Sequence, residues 1–145
     1  MNRQELSIAL YRKLYLIRAA ETSIRENYRT DMMKTPMHMS TGGEAISSGV
    51  CQALAALDQV LGTYRSHGLY LAKTGETDRF FAEMYGKATG MAKGKGGSMH
   101  LTAPAEGLLC TSAIVATTIP VAIGAAFANK SRANGRLVAV FFGDG

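Results

Sequence analysis

The end of the chain carries its most restrictive feature, an apolar run that leads into a glycine–aspartate–glycine turn. Residues Leu137 to Phe142 are all apolar, without polar alternation, and Gly143, Asp144 and Gly145 follow directly. A run of this kind is typical of a strand that is covered on both faces of a parallel sheet. Open α/β sheets bind their ligands at the carboxyl ends of such strands, so we expect a ligand site at this turn.

The acid of the turn suits a cation bound beside a phosphate, because a carboxylate is a hard oxygen ligand and glycines let the backbone approach closely. Gly-Asp-Gly is also ordinary turn chemistry, so the triplet alone is a weak signal. A parallel strand needs a crossover before its next neighbour. We therefore expect the fold to be continued beyond Gly145, by more of the same chain or by another polypeptide.

Composition sets broad limits. A length of 145 residues with 47% hydrophobic content fits one domain, residues 1–145, with a real core. The net charge of +5 comes from scattered cations with one cluster at Lys87, Lys93 and Lys95, which suits an anionic cofactor as well as a nucleic acid. Cys51 and Cys110 give neither a disulfide framework nor metal-ligand spacing, which favours a reducing, cytoplasmic setting. No apolar run approaches the length needed to span a membrane.

Hydrophobic periodicity predicts a long first helix. Asn2 and Glu5 form a capping-box pattern at its start. Apolar residues then recur at steps of three and four: Leu6, Leu10, Leu14, Ile17, Ala20, Ile24 and Tyr28. Off this stripe lie Arg12, Lys13, Arg25 and Glu26, which we interpret as a solvated or partner-facing side.

The rest of the chain alternates between predicted helices and strands. A loop is predicted over 31–41, a helix over 44–57, a strand over 60–64, a helical turn over 68–72, a helix over 78–85 capped by Thr77, a loop over 86–97, and a helix over 120–134. The second helix is expected to bury Ile46, Val50, Ala53, Leu54 and Leu57. Strand–helix–strand order predicts an α/β fold with a doubly wound parallel sheet. We expect the first helix and the 86–97 loop to be exposed or disordered. We expect the 120–134 helix to be buried between the final strand and a subunit contact.

Several local patterns are candidates for chemistry. The Gly86–His100 stretch lacks the ending of a P-loop and does not follow a strand, so a mobile glycine loop is the simpler interpretation. His38 and His67 lie near glycines or a strand end, whereas nothing similar supports His100. Tyr64 and Arg65 end a strand, where a guanidinium can clamp phosphate oxygens; a surface ion pair is the alternative for Arg65.

Taken in order, these segments resemble a known family. They are His38-x-x-x-Gly42-x-Glu44-Ala45, then Tyr64 to Gly68, then Ala92 to His100, Ala113 to Val115, Ile119-Pro120 and Gly143 to Gly145. The series is similar to the amino-terminal part of the α subunit of thiamine diphosphate-dependent 2-oxo acid dehydrogenases, of the pyruvate and acetoin type. The resemblance implies the thiamine diphosphate-binding fold, incomplete at the carboxyl end.

The resemblance also implies roles for individual residues. Tyr64 and Arg65 match a diphosphate-binding pair, and Ala113 and Val115 match backbone positions beside the aminopyrimidine ring. Asp144 matches the magnesium ligand, flanked by Gly143 and Gly145 in the cofactor-binding turn. His38 matches a catalytic histidine at the substrate end of the cofactor. Glu44 is better interpreted as a buried structural acid, because in this family the activating glutamate belongs to the β subunit.

The implied activity is thiamine diphosphate- and magnesium-dependent oxidative decarboxylation of a pyruvate-like 2-oxo acid, with acyl transfer to a lipoyl carrier. The implied partners are a β subunit and a lipoyl-bearing acyltransferase, with neither a nucleic acid nor a membrane. Ala113 stands where the pyruvate enzymes have glycine, which bears on the choice of substrate. An assembly-only segment, an acetoin-cleaving relative and an anion- or nucleic-acid-binding domain stay open as alternatives.

Overall fold

The computed structural model describes residues 1–143 and shows an α/β fold with a small parallel sheet. Its helices and strands, in chain order, are α1 (Arg3–Asn27), α2 (Glu44–Ala53), β1 (Gln59–Thr63), α3 (His67–Thr74), α4 (Asp78–Met84), β2 (Leu108–Ser112), α5 (Thr118–Ser131) and β3 (Val138–Val140). Short 3-10 turns follow α1 at Tyr28–Thr30 and precede β2 at Pro104–Glu106.

The three strands are parallel, with β1 in the centre and the order β2-β1-β3. Helix α5 connects β2 to β3 and packs on all three strands, because the crossover must pass over β1 to reach the opposite edge. An α/β fold with a parallel sheet is confirmed. The doubly wound arrangement stays a prediction, because it describes a larger sheet than these three strands form.

The core lies where α1, α2 and α3 pack together and meet α4 and the inner strands. Its largest buried apolar side chains come from several elements: Ile17, Ile24, Leu61, Leu69, Leu71, Tyr70, Phe80, Met84, Leu101 and Leu108. The predicted first helix is confirmed, and its capping box is present, with the Asn2 side chain accepting from the Glu5 amide and the Glu5 carboxylate accepting from the Asn2 amide. Helix α1 is exposed along much of its length, as expected.

The predicted apolar face of α2 is wrong. Ile46 is 64% exposed, and the buried positions are Glu44, Ser47, Ser48 and Cys51. Small polar side chains let α2 approach α3 closely, and a Cβ added at Gly68 would lie 3.3 Å from the Ser47 hydroxyl oxygen. Helix α2 also ends at Ala53, earlier than predicted, and leaves Leu57 57% exposed.

The alanine-rich helix is covered on one side only in this chain: it packs on the strands, and the expected subunit contact on its other side stays a prediction. Of α5, only Thr118, Ala122 and Asn129 are buried, whereas Ile123 is 65% and Phe127 is 70% exposed. The helix is apolar on most sides, but the sheet covers only one of them. Its hydrophobicity therefore could not show which side is covered.

Three further local predictions need correction. Strand β2 was not predicted, because its short run Leu108–Ser112 is apolar only in part and becomes a strand by pairing with β1. The loop over 86–97 is not simply exposed: Gly90 and Gly97 are buried. Thr77 precedes α4, but its side chain makes no capping hydrogen bond.

Candidate functional site

A cleft of about 330 Å³ opens at the carboxyl ends of β1 and β3. Its walls come from the two strand ends, the residues before α2 and the residues before α5: Ser40, Thr41, Gly43, Thr63, Tyr64, Arg65, Ser66, Val115, Phe141, Phe142 and Gly143. The chain segments are far apart in sequence and meet here because parallel strands end at the same edge of their sheet. The sequence-predicted residues Tyr64, Arg65, Val115 and Gly143 thus line one cleft.

Arg65 is exposed and partly anchored. Its Nη1 donates a hydrogen bond of 2.7 Å to the carbonyl oxygen of Met39, and its guanidinium carbon lies 5.8 Å from the centre of the Tyr64 ring. Within residues 1–143 it makes no ion pair, so the alternative of a surface salt bridge is not observed in the described chain. A guanidinium has five N–H donors, and those that remain can serve an anion in the cleft.

His38 lies beside Tyr64 and outside the cleft lining. The two rings meet edge to face with their centres 5.0 Å apart. The backbone amide of His38 donates to the Ser98 hydroxyl at 3.2 Å, which fixes the segment. Its Nδ1 atom is buried and has no hydrogen-bond partner among the described residues. A buried ring nitrogen without a partner is costly in a fold, so its position calls for a physical explanation.

The segment after β2 brings only one of its two predicted residues to the cleft. Val115 is 64% exposed and lines it, whereas Ala113 is half-buried and is not part of the lining. The backbone turns at Ala116, whose φ of 66° is unusual for a residue with a Cβ. Asp144 and Gly145, predicted for the metal and the cofactor turn, lie outside the described residues.

A buried carboxylate behind the cleft organises the loop that carries His38. Glu21 of α1 accepts hydrogen bonds from the Ser40 amide at 2.6 Å, the Ser40 hydroxyl at 3.0 Å and the hydroxyl of Thr41. Burial acts to raise the pKa of Glu21, but hydrogen bonds from His67, Thr41 and Ser40 together hold that pKa below its usual value. The sequence signal was present, because Glu21 lies one turn after Ile17 on the buried stripe.

His67 is part of this buried network and does not line the cleft. Its Nδ1 lies 3.1 Å from the Glu21 carboxylate, and its Nε2 lies 2.6 Å from the Ser98 hydroxyl. A carboxylate only accepts, so Nδ1 donates to Glu21, and Nε2 shares a hydrogen bond with the Ser98 hydroxyl. The ring also packs edge to face on Phe80. Its role is to connect α1 to the segment around Ser98.

Glu44 is buried, in agreement with its interpretation as a structural acid. Its Oε1 lies 2.6 Å from Nε of Arg18, and its Oε2 accepts from the Gly42 amide at 2.9 Å. The hydrogen bond from Arg18 is the main cause of a pKa below the usual value for Glu44. The pair fixes the start of α2 against α1, next to the cleft residues Thr41 and Gly43.

Glu83 of α4 organises the glycine-rich stretch after α4, for which the sequence predicts a mobile loop. Its two carboxylate oxygens accept from four backbone amides, those of Ala92, Gly94, Gly96 and Gly97, at 2.7–3.0 Å. Glycine is required for this wrap: a Cβ at Gly90 would lie 2.4 Å from the Glu83 carboxylate. The lysines of this stretch point outward, and the stretch itself positions Ser98 for the network.

Within residues 1–143, no group of three or more His, Cys, Asp or Glu side chains is arranged to hold a metal ion. None of the helices in this part of the chain is both long and apolar enough to cross a bilayer.

Comparison with known proteins decides the family. The family model described as "Dehydrogenase E1 component" matches residues 12–145. The chain belongs to this family. The match includes the first helix from residue 12 onward, the cleft residues and the final glycine–aspartate–glycine turn.

Curated relatives fall within the same family. The chain is 36% identical over 142 residues to the α subunit of acetoin:2,6-dichlorophenolindophenol oxidoreductase of Bacillus subtilis. The aligned region covers 98% of this chain and 43% of the relative. It is 37% identical over 145 residues to the pyruvate dehydrogenase E1 component α subunit of Porphyra purpurea, covering 95% of this chain and 42% of the relative. The chain therefore spans less than half the length of these two relatives.

Proposed function

We propose that this chain supplies the diphosphate-binding half of a thiamine diphosphate site in a 2-oxo acid dehydrogenase first component. The single observation that carries the proposal is the cleft at the carboxyl ends of β1 and β3, in which Tyr64, Arg65, Val115 and Gly143 converge. Membership of the E1 family and relatives named as pyruvate and acetoin enzymes support it.

The residues present fit an anionic group. Arg65 offers a guanidinium whose position is set by Met39, and Ser66 places a hydroxyl-bearing side chain in the same lining. Ser40 and Thr41 also line the cleft, but their hydroxyl protons are already donated to Glu21. Charge-assisted hydrogen bonds to phosphate are among the stronger polar contacts. Magnesium would be held by Asp144, whose position lies outside the described residues, so that part of the proposal rests on the sequence resemblance.

When bound, thiamine diphosphate supplies the carbanion and electron-sink chemistry that decarboxylates a 2-oxo acid. The protein's part is to bind and orient the cofactor. Tyr64 and Arg65 would fix the diphosphate, and Val115 would offer backbone atoms and apolar surface to the rest of the cofactor. His38, held by Ser98 and packed on Tyr64, would hold or move a proton at its free Nδ1.

The proposed reaction is oxidative decarboxylation of a pyruvate-like 2-oxo acid, with transfer of the acyl group to a lipoyl carrier. It requires a β subunit, which contributes the activating glutamate, and a lipoyl-bearing acyltransferase. Acetoin cleavage is the second candidate, because one relative is named as an acetoin enzyme and Ala113 replaces the glycine of pyruvate enzymes. We propose that this reaction takes place in the cytoplasm.

The test is Arg65→Ala in the chain assembled with its β subunit. Loss of one charge-assisted contact to phosphate is worth about 1.5–3 kcal/mol, so calorimetry should show thiamine diphosphate affinity falling roughly tenfold or more. The matched control is Arg136→Ala, an exposed arginine outside the cleft, which should keep wild-type affinity. Unchanged affinity in Arg65→Ala would refute the assignment of this cleft.

Titration of the cofactor also separates catalysis from a purely structural role. If the wild-type complex binds no thiamine diphosphate while the subunits still assemble, the chain is an assembly segment. In the loaded complex, Asp144→Ala should abolish metal-dependent activity. Retained magnesium-dependent activity in that variant would remove Asp144 from the proposed metal site.

A further inference from the structure

Helix α1 carries a second surface that the proposed chemistry does not use. Outward-facing residues, exposed except for the half-buried Thr22, repeat at alternating steps of four and three along the helix and into the 3-10 turn. We call this set the α1 seam: Tyr11, Tyr15, Arg18, Thr22, Arg25 and Arg29.

At about 100° per residue, the members within α1 fall inside an arc of about 80°, so they form one continuous stripe. A repeat averaging 3.5 residues is the spacing at which one helix packs along another. The core-facing residues Ile17, Ala20 and Ile24 lie on a different side of α1. The seam is therefore additional to the stripe that folds the chain.

The chemistry of the seam suits a protein partner. Tyr11 and Tyr15 are 66% and 65% exposed, and their rings lie against each other with centres 6.3 Å apart. Tyrosine and arginine are enriched at protein interfaces and among the residues that dominate their binding energy. Contiguous exposed apolar surface marks an interaction site, and the two adjacent tyrosine rings contribute to such a surface.

The charge of the seam selects the kind of partner. Arg25 and Arg29 are one helical turn apart and repel each other, and within residues 1–143 neither pairs with an acid. Arg18 is paired with Glu44 but keeps 58% of its side chain exposed. Carboxylates from outside the chain would remove this repulsion.

A cavity at the carboxyl-terminal end of the seam provides a socket for an apolar side chain. It measures about 530 Å³ and lies between α1 and the loop before α2. Its apolar lining includes Ile24, Met37 and Met39, with Arg25 and Arg29 among its polar residues. Methionine-lined cavities adapt to the shape of an inserted side chain.

We propose that the α1 seam docks an acidic amphipathic helix of a partner protein, which presents glutamates or aspartates to the arginines and an apolar residue to the cavity. The partner's apolar positions pack along Tyr11 and Tyr15. A second copy of this chain is a poorer occupant, because its own seam brings arginines and no acids. This inference does not depend on the proposed catalytic role of the cleft.

The probe is a fluorescein-labelled helical peptide of four heptads, with leucine and glutamate along one face. Anisotropy should show binding to the 145-residue chain that weakens as salt is raised, because the contact is charge-assisted. The Arg25→Glu, Arg29→Glu double variant should bind at least tenfold more weakly. Arg136→Glu makes a like charge change at one exposed site away from the seam and should stay within twofold of wild type.

Three further measurements decide the outcome. A peptide with lysine in place of every glutamate should not bind. The Tyr15→Ser variant should bind the glutamate peptide more weakly than wild type, without a change in the circular dichroism of the chain. Sedimentation of the wild-type chain should show a monomer. Absence of glutamate-peptide binding, equal binding of both peptides, an unaffected arginine variant, or a dimer abolished by Tyr15→Ser would each overturn the proposal.

Discussion

At the scale of single residues, buried carboxylates are what give the irregular segments their shape. Glu21 holds the residues before α2, and Glu83 holds the glycine-rich stretch after α4. Each replaces the hydrogen bonds that a regular element would have made within its own backbone. Side chains next to the cleft are thereby fixed by carboxylates that do not line the cleft themselves.

Glu83→Gln should destabilise the fold by about 1.5–3 kcal/mol, because hydrogen bonds to a charged group are worth that much and four backbone donors would lose their charged acceptor. Urea unfolding measures the loss. Hydrogen exchange should also show the amides of Ala92 to Gly97 exchanging faster.

The control is Glu76→Gln, which removes the charge from a glutamate on the surface that pairs with Arg79. Surface ion pairs are worth little, so its stability should change by less than about 1 kcal/mol. Equal effects of the two substitutions would show that Glu83 does not organise the stretch.

At the scale of elements, hydrophobic sequence and burial diverge most in α5. Its sequence is apolar on most sides, yet its outer face is exposed in this chain. The proposed β subunit is one way in which that face would be covered. In the isolated chain the face contributes nothing to the core, and this has a measurable consequence.

Phe127→Ser should change the free energy of unfolding by less than about 0.5 kcal/mol, because the side chain is already 70% exposed. Leu108→Ala, at a fully buried position of β2, should cost about 2–5 kcal/mol. Urea unfolding of both variants checks the contrast. A large loss in Phe127→Ser would mean that the outer face of α5 is packed in the isolated chain.

At the scale of the whole molecule, the free energy of unfolding should fall at acidic pH. Four carboxyl groups have pKa values below their usual range in the fold: Glu21, Glu44, Asp58 and Glu83. For Asp58 the main cause is hydrogen bonding from the amides of Leu137 and Ala55, which connects the start of β3 to the chain before β1. For Glu83, burial raises the pKa, but the four backbone amides outweigh it.

A group with a lowered folded pKa stabilises the fold above its unfolded pKa, and this contribution is lost as pH falls through the folded value. Unfolding free energy should therefore be steady near neutral pH and decline from about pH 5 downward, close to the ordinary carboxyl range. Urea titrations at several pH values measure this decline. It should be shallower in Glu83→Gln and unchanged in Glu76→Gln, and a profile that is flat to pH 3 would contradict the assignment.

The sequence by itself determined the long first helix with its cap, β1, the final strand, the parallel α/β class and the family. Each depends on local chemistry: a capping box, a 3.6-residue period, an unbroken apolar run, or motifs in a fixed order. The convergence of Tyr64, Arg65, Val115 and Gly143 in one cleft was also predictable, because strand ends in parallel sheets share one edge and the motifs mark these positions.

Only the tertiary structure decided which neighbours those local patterns met. Strand β2 exists through its pairing with β1, and the buried face of α2 is set by close contact with Gly68 rather than by its apolar residues. Glu21, His67 and Ser98 come together from three separate segments, so no spacing along the chain could indicate their network. Burial depends on what lies across a contact, and a single sequence records only what lies along the chain.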